Sequence, residues 1–193
     1  MSYSATPTTT RYVALVAVLT ALYSVYGYVS GIELRPLTRS LDLFFLLPVF
    51  FAILVSLTGK KWSSTLLGTI VGMLFLYPTA GVPLSPHITI SLIVNGLVFD
   101  LYLQETRTSL YDLSRRQLVT AATLGDLAMA VAGLLVFQVF IGAQSAEVWA
   151  AALIGDPLAG AAGGFLGSIV IERVKGIETR RVLEAKSSLR VKV

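Results

Sequence analysis

Few side chains in this chain could do chemistry, and most of them stand singly inside long apolar runs. Asn95, Asp100, Asp126 and Gln138 interrupt hydrophobic stretches, and Asp156 stands directly before Pro157. A carboxylate at membrane depth is costly unless it is paired, protonated or wetted, so each buried acid is a candidate for ligand binding or for proton or ion coupling. A structural hydrogen bond between helices is the competing account, and for Asp100 and Asp126 the sequence leaves both open. Catalysis is not indicated. There is no cysteine, His87 is the only histidine, the carboxylates do not cluster, and no Gly-x-x-x-x-Gly-Lys-Ser/Thr phosphate loop occurs. A lone histidine has no second ligand beside it, so neither a metal nor a cofactor is expected, and the protein is not expected to be an enzyme.

The elements that must position these residues are membrane spans. A bilayer core about 30 Å thick needs roughly 20 apolar residues per helix, which satisfies every backbone amide internally. The chain is 55% hydrophobic and 13% charged, against about 25% charged in an ordinary soluble domain. Apolar runs at Tyr12–Ser30, Leu43–Leu57, Trp62–Tyr77, Ile88–Leu103, Leu118–Ile141 and a last one ending near Glu172 predict an all-α, single-domain bundle of six transmembrane helices. The second, third and fourth are short and must sit upright, recruit flanking residues or meet a thinned bilayer. Merging the second and third would bury Lys60 and Lys61, so six spans are preferred to five.

Loop charges set the orientation. Threaded through six spans, thirteen of the fifteen Lys and Arg fall on one face, leaving Arg35 and Arg39 on the other. The positive-inside rule then places both termini in the cytoplasm of a multi-pass protein of the cell membrane. That bias accounts for the net charge of +4, and no nucleic-acid partner is read from it. The polar segment Ser2–Thr10 lacks the basic region and cleavage site of a removable signal peptide. The basic tail from residue 174 onward reads as a solvated end or as a contact with anionic lipid headgroups.

The outward-facing segments hold the candidates for a binding pocket. Tyr28 closes the first span; Glu33 and Arg35 lie in the first outer loop; Gln138 lies near the outer end of the fifth span; Trp149 follows the third outer loop. With Asn95 and Asp156 they could form a capped pocket for a small polar molecule, although Tyr and Trp at that depth are also ordinary interfacial anchors. The second outer loop is stiffened by Pro78, Pro83 and Pro86. Asp156–Pro157 reads either as an N-cap starting the last helix or as a proline inside one longer helix. Gly160, Gly163, Gly164 and Gly167 give that helix a smooth face for close packing. The first span carries Ala14, Ala17, Thr20, Ala21 and Ser24 at three- and four-residue spacing. Such a stripe serves a partner helix or a neighbour in the same chain.

Taken together, the opening Arg11…Ala14-Leu15…Ala17-x-x-x-Ala21-Leu22, the Ser40-Leu41-Asp42…Leu47-Pro48 stretch, the Gly59-Lys60-Lys61-Trp62 turn before Leu66-Leu67-Gly68, and Asn95-Gly96-Leu97-Val98-Phe99-Asp100 resemble the substrate-binding S components of energy-coupling factor transporters. The resemblance spans most of the chain but is diffuse, and only Ala-x-x-x-Ala is a named motif. It implies capture of a vitamin or vitamin precursor in an outer pocket. It also implies docking through Ala17 and Ala21 onto a transmembrane coupling protein that is driven by two cytoplasmic ATPases. Two other functions remain open beside it: a self-sufficient small transporter or channel using Asp126, and a structural subunit of a membrane complex.

Overall fold

The computed structural model describes residues 9–30, 41–76, 85–106 and 113–190, with side chains described as far as residue 175. Every regular element is helical, and no strand occurs among the described residues. The helices are α1 (Thr9–Val29), α2 (Leu41–Thr58), α3 (Ser63–Leu74), α4 (Pro86–Thr106), α5 (Arg115–Phe140) and α6 (Ala146–Arg190). All but α3 are long and apolar enough to cross a membrane. At 12 residues, α3 rises only about 18 Å.

Local chemistry explains most helix boundaries. Ser114 starts α5 with a capping box: its hydroxyl accepts from the Gln117 amide at 3.2 Å, and Gln117 Oε1 accepts from the Ser114 amide at 2.9 Å. Between α2 and α3 the chain reverses through Gly59 and Trp62, both in the left-handed region at φ 61° and 62°. Glycine takes that conformation without steric cost, whereas for a tryptophan it is strained. This turn separates the two helices and carries Lys60 and Lys61.

Of the two readings of Asp156–Pro157, the longer helix is the one that forms. α6 begins at Ala146, where the Ser145 hydroxyl accepts from the Val148 amide at 3.4 Å, and it runs through Pro157. Asp156 is therefore not an N-cap. Proline leaves one carbonyl without its helical donor, an interruption that membrane helices tolerate when neighbours re-satisfy the backbone. Helical backbone continues through the basic tail to Arg190.

Glycines set how closely the helices approach. On α3, Gly68 lies against the Leu92 carbonyl of α4, while Gly96 of α4 lies against the Ser64 carbonyl. The glycines of α6 divide between two neighbours. Gly160 and Gly164 meet Ala122 and Leu118 of α5, whereas Gly163 and Gly167 meet Phe45 and Ala52 of α2. The expected smooth face is thus two faces, and α6 is wedged between α2 and α5. The extensive interfaces are α5–α6, α4–α5, α2–α6 and α3–α4, while α1 touches α2 and α3 only sparingly.

These contacts make successive helices antiparallel. One end of the bundle gathers the start of α1, with Lys60 lying over the Tyr12 ring at 4.1 Å, and the Arg115–Glu172 ion pair at 3.0 Å. The other gathers Tyr28 and Phe75, Asp42, and His87 against Phe137. Every Lys and Arg whose side chain is described lies toward the first, basic end.

Replacing Gly96 with leucine should drive a side chain into the Ser64 carbonyl and cost about 2–3 kcal/mol. Gly155→Ala meets only the flexible end of Leu41, 3.3 Å away, and should be neutral or stabilising. Thermal unfolding of both variants in detergent, followed by helical circular dichroism, checks the contrast.

Candidate functional site

The α4–α5 interface steps inward from the end opposite the basic one in single helical turns. His87 stacks edge-on against Phe137 with ring centroids 5.0 Å apart. One turn deeper Gly133 lies against the Ser91 hydroxyl. One turn deeper again Asn95 reaches α5, donating through Nδ2 to Asp126 Oδ1 at 2.6 Å and approaching Met129 Sδ at 3.3 Å. Asn95 and Asp126 are both fully buried.

That bond satisfies only half of each partner. Asp126 Oδ2 and Asn95 Oδ1 are buried with no hydrogen-bond partner. The first faces Gly160 of α6, where a Cβ would come within 2.6 Å of it, and the second lies over Gly125. Asp156, one turn before Gly160 on the same face of α6, is 6% exposed and interacts electrostatically with Asp126. Asn95 and Asp126 thus meet opposite Gly160 of α6, with Asp156 one turn further along that helix, toward the end opposite the basic one. Among the described residues no Lys, Arg or His pairs with either acid.

The other expected pocket residues are distributed differently. Trp149 is half-buried and stands two turns from Asp156 along the same side of α6, toward the end opposite the basic one. Tyr28 is 40% exposed and tilts against Phe75 at 5.9 Å. Gln138 is exposed and sits roughly 18 Å along α5 from Asp126, on a different face, so it does not join the cluster. Glu33 and Arg35 lie outside the described residues.

Two groups carry structure that the sequence did not assign. Asp100 caps α3 from a neighbouring helix: its Oδ2 accepts from the Thr65 amide and from the Thr65 hydroxyl, both at 2.8 Å. Trp62, the residue at the N-cap position, supplies no side-chain bond of its own. Asp100 therefore has the structural role that was open beside the functional one. Asp42, in the first turn of α2, accepts from Tyr26 at 2.9 Å and from the Ser30 hydroxyl, tying α1 to α2.

The arrangement can hold a polar or positively charged group among the α4–α6 acceptors; it has no nucleophile–base pair for covalent chemistry. No family model, no curated protein and no solved structure matches the chain.

Asp100→Ala should destabilise the bundle by about 1–2 kcal/mol, the usual value of a lost N-cap. Asp100→Asn, which keeps an acceptor oxygen, should lose less. Chemical denaturation in mixed micelles measures both, and an alanine variant as stable as the wild type would remove Asp100 as the cap of α3.

Proposed function

We propose that this protein is the substrate-capture subunit of an ATP-driven uptake system, an S component that binds a small vitamin-like molecule and delivers it through a separate membrane coupling protein. The observation that carries this reading is the direction of the small-residue stripe on α1. Ala14, Ala17 and Ala21 are exposed, whereas Thr20 and Tyr23 of the same helix are buried against the bundle. The alanines are thus not used up by packing within the chain. Beside them Ala21, Leu22, Val25, Tyr26 and Val29 line a shallow apolar groove. Small residues on an open face let a partner helix approach closely in lipid.

In this reading all six helices cross the cell membrane, with α3 accommodated by flanking residues or local thinning, and lipid surrounds the remaining apolar surface. The basic end faces the cytoplasm, which places both chain ends there, beside the coupling protein and its two ATPases. Substrate enters from the opposite end, past Tyr28 and Trp149, toward Asn95 and Asp156.

Affinity purification of the tagged protein in mild detergent should recover a coupling membrane protein and two ATPases, identified by mass spectrometry. Ala17→Leu with Ala21→Leu should reduce that recovery at least about tenfold, equivalent to roughly 1.4 kcal/mol of docking energy. Recovery of the chain alone, under conditions that preserve other membrane complexes, would remove the capture-subunit reading.

A second reading, a self-sufficient transporter, is favoured by one feature: the unpartnered, buried Asp126 Oδ2. It requires flux of substrate or ions in proteoliposomes containing this chain alone, and Asp126→Asn would abolish that flux.

A further inference from the structure

The α4–α6 cluster is lopsided in its hydrogen bonding. Asn95 Nδ2 is engaged by Asp126 Oδ1 and Met129 Sδ. Turning the amide over would set its oxygen against the carboxylate, so the observed orientation follows from the network. What remains unsatisfied is one oxygen on each side chain, Asp126 Oδ2 and Asn95 Oδ1, and both side chains are 0% exposed. Asp156 adds a second carboxyl from α6, close enough to repel Asp126 when both are charged.

Among the described residues no donor is recorded at either orphan oxygen. The ion pair recorded among the described residues joins Arg115 to Glu172 at the basic end. Arg115 lies eleven residues from Asp126 along α5, roughly 16 Å away. A buried carboxyl with an unpartnered oxygen is costly to keep, and acids inside a membrane face interior cavities or substrate and ion paths. Gly160 presents no side chain toward Asp126 Oδ2, and Asp156 stands one helical turn from Gly160 on the same side of α6.

We infer that Asp126 and Asp156 form an intramembrane site for one positively charged group, held between α5 and α6 and oriented by Asn95. A neutral or anionic ligand without donors would leave both orphan oxygens unsatisfied, whereas a cation or an ammonium N–H satisfies them directly. Two sources share this chemistry: a free sodium ion, or the protonated amine of the captured molecule. The inference deepens the capture reading and rests on it only for the identity of the site, not for docking through α1.

The test uses the full-length protein in detergent, with sodium chloride and ethylammonium chloride as probes. Each is titrated against choline chloride at constant ionic strength, because choline is bulky and has no N–H donor. A site of this kind should raise Tm saturably, by roughly 5 °C or more at about a hundred times Kd. Asp126→Asn and Asp156→Asn should each abolish the shift. Asp156→Asn carries the test should Asp126→Asn fail to fold, since Asp156 makes no part of the Asn95 hydrogen bond. Sodium alone producing the shift identifies a coupling ion, and ethylammonium alone identifies the amine of a substrate. No saturable shift with either probe, or a shift that survives both substitutions, overturns the inference. Silence here would leave the recovery of coupling partners untouched, and their absence would leave a sodium or amine response standing.

Discussion

Helices surrounded by lipid gain nothing by hiding apolar surface from water, because hydrocarbon tails are as apolar as leucine; they associate by fitting closely and by sharing hydrogen bonds. In this chain the close fit is a glycine set against a neighbour's carbonyl. Gly68 meets Leu92, Gly96 meets Ser64, Gly160 meets Ala122 and Gly163 meets Phe45. These contacts tie α3 to α4, α4 and α5 follow in antiparallel register, and α6 is wedged between α5 and α2. The level at which Asp126 stands opposite Gly160 is a consequence of that register. A side chain at Gly160 or Gly164 would push α6 outward and take Asp156 with it.

Within this frame the two buried acids of α4 and α5 have opposite fates. Asp100 reaches the start of α3, where free amide donors are in surplus, and its carboxylate is satisfied by the Thr65 backbone and hydroxyl. Asp126 reaches only a side-chain amide, which fills one oxygen and leaves the other bare. The residue type is the same, and Asp126 lies about a turn and a half deeper from the basic end than Asp100. What separates them is the partner: a helix N-terminus supplies donors continuously, whereas one asparagine supplies a single bond and brings an unsatisfied oxygen of its own. Structural duty explains the first acid fully and the second only in part.

The sequence made the spans legible because hydropathy is a property of runs, and runs survive small errors at their ends. The predicted Trp62–Tyr77 segment lies within a few residues of α3, and its shortness was visible too. Asp156–Pro157 left two readings open for a local reason: acid before proline favours a helix start, but a proline is also tolerated inside a membrane helix, and the start of the helix at Ser145 decides for the longer one. Contacts between helices were not legible. Asp100 could not be read as a cap for α3, nor Asp42 as the partner of Tyr26, without knowing which helices are neighbours. Gln138 and Asp126 both interrupt the fifth span, and only the bundle shows that one faces outward and the other inward. On α1, spacing alone merged Thr20 and Ser24 with the alanines, although burial divides them between two faces.

That division gives α1 a character of its own. Its inner face holds Tyr23, which donates to the Leu43 carbonyl at 3.2 Å and packs edge-on against Phe50 and Phe75. Near its C-terminal end Tyr26 and Ser30 fasten to Asp42. These aromatic and polar attachments lie in the C-terminal half of the helix, and they are not a glycine-lined seam along its length. The interfaces that fix Asn95, Asp126 and Asp156 do not include α1. A partner helix meeting Ala17 and Ala21 would press on the least firmly held element of the bundle, whereas the polar cluster sits among the most firmly held. On the proposed function, docking and ligand binding would reside in separate parts of one small fold, and either could be altered by substitution without dismantling the other.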